Sequence, residues 1–156
     1  MDLTSAARDY EASTNVFLEA VERVTEENID HHVPDGWSPR QIVHHVADSE
    51  AQSYARLRRL LAEPLGSLIQ GYDEAAWATC ELLGYQELAI EHSLSVFISV
   101  RAASLDILKR LTSDDLDRYG EHSESGRYSV ATWLETYTRH PREHAAQLIE
   151  ALNVDA

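Results

Sequence analysis

The sequence predicts an all-α four-helix bundle. Three observations lead there. Four stretches carry apolar residues at alternating spacings of three and four. No stretch alternates apolar and polar residues as a half-buried strand would. Gly and Pro are few and, Pro141 apart, mark the borders between the four stretches. The 156 residues are read as one domain, 1–156, long enough to bury a core without staples.

The first helix is carried by Leu3, Ala7, Tyr10, Thr14, Phe17, Val21 and Val24, one stripe with Arg8, Asp9, Glu19 and Glu22 largely off it. It should fade near Glu27, before a loop with Pro34, Asp35 and Gly36. The second helix starts cleanly. Ser38 can cap it, and Pro39 suits the first helical position, where a missing N–H costs nothing. Its inward stripe is Ile42, Val46, Ser49, Ser53, Leu57 and Leu60, small and polar in the middle, and Pro64 and Gly66 end it. Asp73 to Cys80 suits one short helix capped by Asp73. The third long helix is expected from Gln86 to Leu111 on Leu94, Ile98, Arg101, Leu105 and Leu108, followed by a polar loop from Thr112 to Tyr128. The fourth begins after Ser129 as cap and runs to Leu152, along Val130, Trp133, Tyr137, His140, His144 and Leu148. The connection between helices two and three, about 20 residues, is long enough to cross the bundle and leave those helices parallel.

Charge excludes several functions. Thirteen Lys and Arg stand against 27 Asp and Glu, a formal net of -14. A nucleic-acid binder needs a basic footprint, and anionic lipid attracts basic segments. The single cysteine, Cys80, excludes a disulfide framework and a cysteine-rich zinc site. No basic-then-apolar leader opens the chain, and no apolar run approaches the ~18 to 20 residues of a membrane span. A soluble, cytoplasmic protein is the expectation.

Histidine is the unusual residue, with eight copies. His140 and His144 are four apart, on one helical face where core residues should sit. His45 borders the inward stripe of the second helix. Its neighbour His44 falls with Gln41 and Asp48 on a more polar face and is the alternative. Ser49 and Ser53 leave space beside His45, which suits a pocket. Three imidazoles without a fourth protein ligand describe an open site. Such an ion lowers the pKa of a coordinated water to roughly 7, or deprotonates a coordinated thiol. Imidazole suits zinc, nickel, iron and copper, so the sequence does not choose the ion; zinc or nickel is the first expectation, with iron or manganese next. The competing reading is three hydrogen-bonded core or surface histidines. Pro141 removes the helical bond to the Tyr137 carbonyl, so the helix bends or restarts there.

Three segments resemble a known family. Gly36-Trp37-Ser38-Pro39-Arg40-Gln41-Ile42-Val43-His44-His45-Val46-Ala47-Asp48-Ser49 resembles the helix-two signature of the DinB superfamily, and of its YfiT-like branch in particular. Gly71-Tyr72-Asp73-Glu74-Ala75-Ala76-Trp77-Ala78 resembles that branch's loop and short helix. Tyr137-Thr138-Arg139-His140-Pro141-Arg142-Glu143-His144 through Ile149 resembles its C-terminal H-x-x-x-H helix. The resemblance implies an up-down-down-up four-helix bundle, frequently a homodimer, with a metal on His45, His140 and His144. The branch is often described as candidate metal-dependent hydrolases. Better-understood relatives join a low-molecular-weight thiol, bacillithiol or mycothiol, to an electrophile. The expected partners are therefore a small thiol and an electrophilic substrate. The chain opens without the N-terminal extension of YfiT-like proteins, which is expected to trim one wall of the pocket, and Pro141 is expected to tilt the ligands.

Two further residues are candidates for catalysis. Arg101 interrupts the inward stripe of helix three, and a charge there needs a partner. It is either an anchor for a carboxylate-bearing thiol or substrate, or half of a structural pair with an acid of a neighbouring helix. Tyr137, one turn before His140, is placed to donate a proton or line the pocket, or is core with a satisfied hydroxyl. Asp48 and Glu143 are candidates to orient imidazole N–H groups. His122 is placed in a loop that could cover the site. His31, His32 and His92 read as solvated, and Cys80 as a small buried hydrophobe.

Overall fold

The computed structural model describes residues 2–154. Helix α1 spans Leu3–Val21, with the Asp2 carboxylate accepting from the Thr4 N–H. It stops short of Glu27. Asn28 offers the backbone an alternative to the helix: its Oδ1 accepts from the Thr25 N–H, and its Nδ2 donates to the Arg23 carbonyl. Helix α2 spans Pro39–Ala62 and opens on a capping box. The Ser38 hydroxyl accepts from Gln41 N–H while the Gln41 amide oxygen accepts from Ser38 N–H. It ends before Glu63, because the residue preceding a proline, here Pro64, is pushed out of the helical conformation.

The crossover holds strand β1 (Leu68–Ile69), the short helix α3 (Glu74–Thr79) capped by Asp73, and a 3-10 turn at Glu81–Leu83. Helix α4 spans Glu91–Leu108, later and shorter than the expected Gln86–Leu111. Its buried line is Phe97, Arg101, Ser104 and Leu108, whereas Ile98 is 45% exposed. The segment from Thr112 to Tyr128 is not a plain loop. It contains a 3-10 turn (Ser113–Asp117) and strands β2 (Tyr119–His122) and β3 (Gly126–Ser129). Helix α5 spans Val130–Leu152, with the Ser129 hydroxyl accepting from Thr132 N–H.

The three strands form a small sheet in the order β1-β2-β3, which the sequence reading does not anticipate. β2 and β3 are an antiparallel hairpin, with His122 opposite Gly126, whose φ of 75° turns the chain. β1 lies parallel to β2, with Leu68 opposite Glu121. Gly120 allows this pairing. A Cβ there would lie 2.5 Å from the Ser67 carbonyl oxygen and 2.6 Å from Ile69 Cγ1.

Helix direction follows from which ends meet. Near the start of α2 and α4, His44 contacts Ser93. At their other ends, Arg118, past the end of α4, donates to the carbonyls of Leu60 in the last turn of α2 and of Glu63 just after it. The two helices are therefore parallel. One apolar cluster joins Ala7 and Tyr10 of α1, Leu57 and Leu60 of α2, Leu108 of α4, and Trp133 and Tyr137 of α5. The other joins Phe17 and Ala20, Ile42 and Val46, Phe97, and Ala145 and Leu148. The starts of α1 and α5 thus meet the ends of α2 and α4, an up-down-down-up bundle. Between the clusters lies a buried polar layer of Ser13, Glu50, Arg101 and Ser104. Among the described residues no helix is long and apolar enough to cross a membrane.

Candidate metal centre

His45 comes from the second turn of α2, where the fixed start at Ser38 sets its facing. It is fully buried, and its ring packs 4.8 Å from the Trp37 ring. His140 and His144 come from α5, one turn apart, with their Nε2 atoms 3.0 Å from each other. The His45 ring lies 5.4 Å from that of His140 and 4.7 Å from that of His144. Each of the three offers a nitrogen, and these nitrogens all lie within 4.8 Å of one another. Among the described residues no other group of three or more His, Cys, Asp or Glu converges in this way.

Burial also sets the charge. Desolvation pushes His45 down to about 3 and His140 down to about 2, with neighbouring imidazoles adding to the shift. His144 is lowered for the same reason, while Gln147 and Glu143 pull it back. All three rings are therefore neutral at physiological pH, the form whose lone pair ligates metals. The His144 Nδ1–H donates to Gln147 Oε1 at 2.8 Å, which leaves its Nε2 lone pair facing His140. The Nδ1 atoms of His45 and His140 are buried without a protein partner. Three neutral nitrogen donors fit a divalent ion held at about 2.0–2.1 Å, where ligand pairs of a tetrahedral site stand about 3.3 Å apart.

His44 is turned away from this group. Its Nε2–H donates to the Leu88 carbonyl at 3.1 Å, and its Nδ1 accepts from the Ser93 hydroxyl at 2.8 Å. Both of its nitrogens are engaged against α4 and the segment before it. Asp48 accepts from the Tyr85 hydroxyl, and Glu143 pairs with Arg139 on the surface, so neither orients an imidazole. Gln147 takes that place. Its spacing of three from His144 is the signal that could have found it.

Arg101 is 2% exposed, and all five of its N–H donors are taken by the protein. Nε donates to Thr14 Oγ1, and Nη2 to the Tyr10 carbonyl and Ser13 Oγ. Nη1 donates to Glu50 Oε1 at 3.1 Å and to the Tyr137 carbonyl. The anchor reading of Arg101 gives way to the ion-pair reading, because no donor is left for a ligand. Burial raises the Glu50 carboxyl to about 7 against the opposing pull of Arg101. Tyr137 does flank the histidines, its ring 6.3 Å from that of His140. Arg56 Nη1 donates to its hydroxyl at 3.0 Å, and burial pushes its pKa up to about 12. Arg56 is a cation the sequence reading passed over, because it lies off the apolar stripe of α2. His122 belongs to β2 and packs its ring against Tyr128. Cys80 is exposed at the end of α3, not buried, since that short helix sits on the outside of the crossover.

An up-down-down-up bundle with three neutral histidines converging from α2 and α5 defines the class: four-helix-bundle proteins with a three-imidazole candidate metal centre. The chain belongs to the DinB superfamily, whose pattern matches residues 9–148. A relative from Oceanobacillus iheyensis is 36% identical over 113 residues, covering 72% of this chain and 63% of the relative. A Bacillus cereus protein is 34% identical over the same length with the same coverage. Both are named as candidate metal-dependent hydrolases. The chain thus spans about 63% of the length of these curated relatives. Among solved structures, YfiT from Bacillus subtilis superposes with a TM-score of 0.84 at 27% identity, covering 96% of this chain and 85% of YfiT. It is described as a probable metal-dependent hydrolase with an unusual four-helix bundle topology. The four-helix bundle protein TT2238 shares the fold at a TM-score of 0.65 and 20% identity, covering 95% of this chain and 98% of TT2238.

Proposed function

We propose that the protein is a metal-dependent enzyme holding one divalent ion, zinc or nickel foremost, on His45, His140 and His144, and that it transfers a small thiol to an electrophilic substrate. The observation that carries this reading is the convergence of three neutral imidazoles, His45 buried and His140 and His144 half-buried, with no thiolate or carboxylate among them. An ion bound there supplies Lewis acidity, lowering the pKa of a thiol or water that reaches it.

The chain's own residues have narrower parts. Trp37 and the burial of His45 keep water from one side of the group. Gln147 holds the His144 tautomer. Tyr137, protonated at neutral pH and oriented by Arg56, can hold a proton toward the reacting group. The one cysteine, Cys80, stands exposed at the end of α3 apart from the histidines, which favours a small molecule as the source of the attacking group. A second reading, hydrolysis by water, is favoured by the names of the relatives.

The experiment compares two reactions of zinc-loaded and nickel-loaded protein. One is conjugation of monobromobimane with cysteine, glutathione or bacillithiol; the other is hydrolysis of p-nitrophenyl acetate without thiol. Thiol-dependent conjugation that chelator and His45→Ala both abolish is expected. Ester turnover without thiol, lost in the same variant, would select hydrolysis. No rate above buffer in either reaction would retire both.

A further inference from the structure

The helical hydrogen-bond ladder of α5 is broken beside the metal centre. Pro141 has no N–H to give the Tyr137 carbonyl four residues earlier, and its ring crowds that oxygen. A buried carbonyl without a partner is costly. Here the partner is found on another helix: Arg101 Nη1 of α4 donates to the Tyr137 oxygen. The same guanidinium is tied to α2 through Glu50 and to α1 through Tyr10, Ser13 and Thr14, and it stacks 3.3 Å over the Tyr10 ring. Its planar fork reaches all of these at once, which an ammonium would not. One buried side chain thus links all four long helices and grips α5 one turn before His140.

We propose that Arg101 is a positioning residue of the metal centre: by holding the carbonyl that Pro141 leaves open, it fixes the turn of α5 that presents His140 to His45 and His144. This rests on the metal-binding reading above. Glu50 accepts from the same Nη1 and so ties the guanidinium to α2, and the role of Arg101 is met without its touching substrate.

The test is a cycle of Arg101→Met, Pro141→Ala and the double variant, each read in two ways. The first readout is the melting temperature of the metal-free protein. The Pro141→Ala change restores an N–H to the Tyr137 carbonyl, so Arg101→Met should lower the melting temperature less in that background than in the parent. Equal losses in both backgrounds would overturn the clamp. The second readout is cobalt(II) affinity from its visible absorption. Arg101→Met should weaken it at least about tenfold, the range seen when a group behind a metal ligand is removed. Leu60→Ala, a core variant away from α5's histidines, should lower the melting temperature and leave cobalt affinity unchanged. An equal loss of affinity in Leu60→Ala would make Arg101 merely structural and overturn the proposal. Should Arg101→Met not fold, Arg101→Lys is read in the same way. A parent that takes up no cobalt would overturn the metal reading and the positioning role with it, while the melting cycle still decides the clamp separately.

Discussion

Acid should destabilise the metal-free protein through its two most strongly shifted imidazoles. Burial holds His45 at about 3 and His140 at about 2, whereas unfolding returns both to about 6.5. A histidine depressed by folding contributes stability that is whole above its unfolded value and is lost as pH falls toward the folded one. Each imidazole therefore removes about 1.4 kcal/mol per pH unit below about 6.5. By pH 5 the pair removes about 4 kcal/mol, against a total of about 5–15 kcal/mol for an ordinary domain. Glu50 works in the opposite direction. Its raised value of about 7 makes its contribution fullest below its unfolded value of about 4.5 and lost as pH rises through about 7. That contribution is common to parent and variant, so it cancels in their difference. The assay is urea unfolding with chelator present at pH 7.5, 6 and 5, comparing the parent with His45→Gln/His140→Gln. The gap between the two stabilities should change by about 2.8 kcal/mol per pH unit below about 6.5. Parallel pH profiles would refute the claim that these rings are neutral because they are buried.

Three further outcomes follow from named contacts. Gln147→Leu removes the acceptor for the His144 N–H and should weaken zinc binding about 10- to 100-fold in competition with a fluorescent chelator; unchanged affinity would deny Gln147 its part. His44→Ala should leave metal content intact and cost about 1–3 kcal/mol in urea, because the Ser93 hydroxyl and Leu88 carbonyl lose their partner; loss of metal instead would make His44 the ligand of α2. Gly120→Ala should cost about 1–3 kcal/mol, since its Cβ must displace Ser67 backbone or Ile69, and an unchanged melting temperature would show that the β1–β2 pairing yields freely.

The readable parts of the fold are those where local chemistry and tertiary packing agree. Ser38 and Pro39 fix the start of α2, and with it the facing of His45 over His44, because helical phase is counted from a known first residue. His140 and His144 are legible because a four-residue spacing keeps two side chains on one face even across Pro141. The phase of α4 is harder. Leu94, Val96, Phe97 and Ile98 crowd several of its faces, so the apolar stripe does not single out Phe97 over Ile98. The sheet escapes because its strands have two to four residues, too few for alternation to rise above chance. The open Tyr137 carbonyl can be deduced from Pro141 alone. Its filling by Arg101 cannot, since that contact spans 36 positions and depends on the parallel placement of α2 and α4.

All of this chemistry depends on His45, His140 and His144 holding one divalent ion. The most direct measurement is elemental analysis of metal per chain, on protein purified without a histidine tag, beside the His45→Ala/His140→Ala/His144→Ala variant. The parent should carry close to one equivalent and a folded variant none. A parent that stays metal-free after reconstitution with zinc, nickel and iron(II), or a variant that retains the ion, would contradict it.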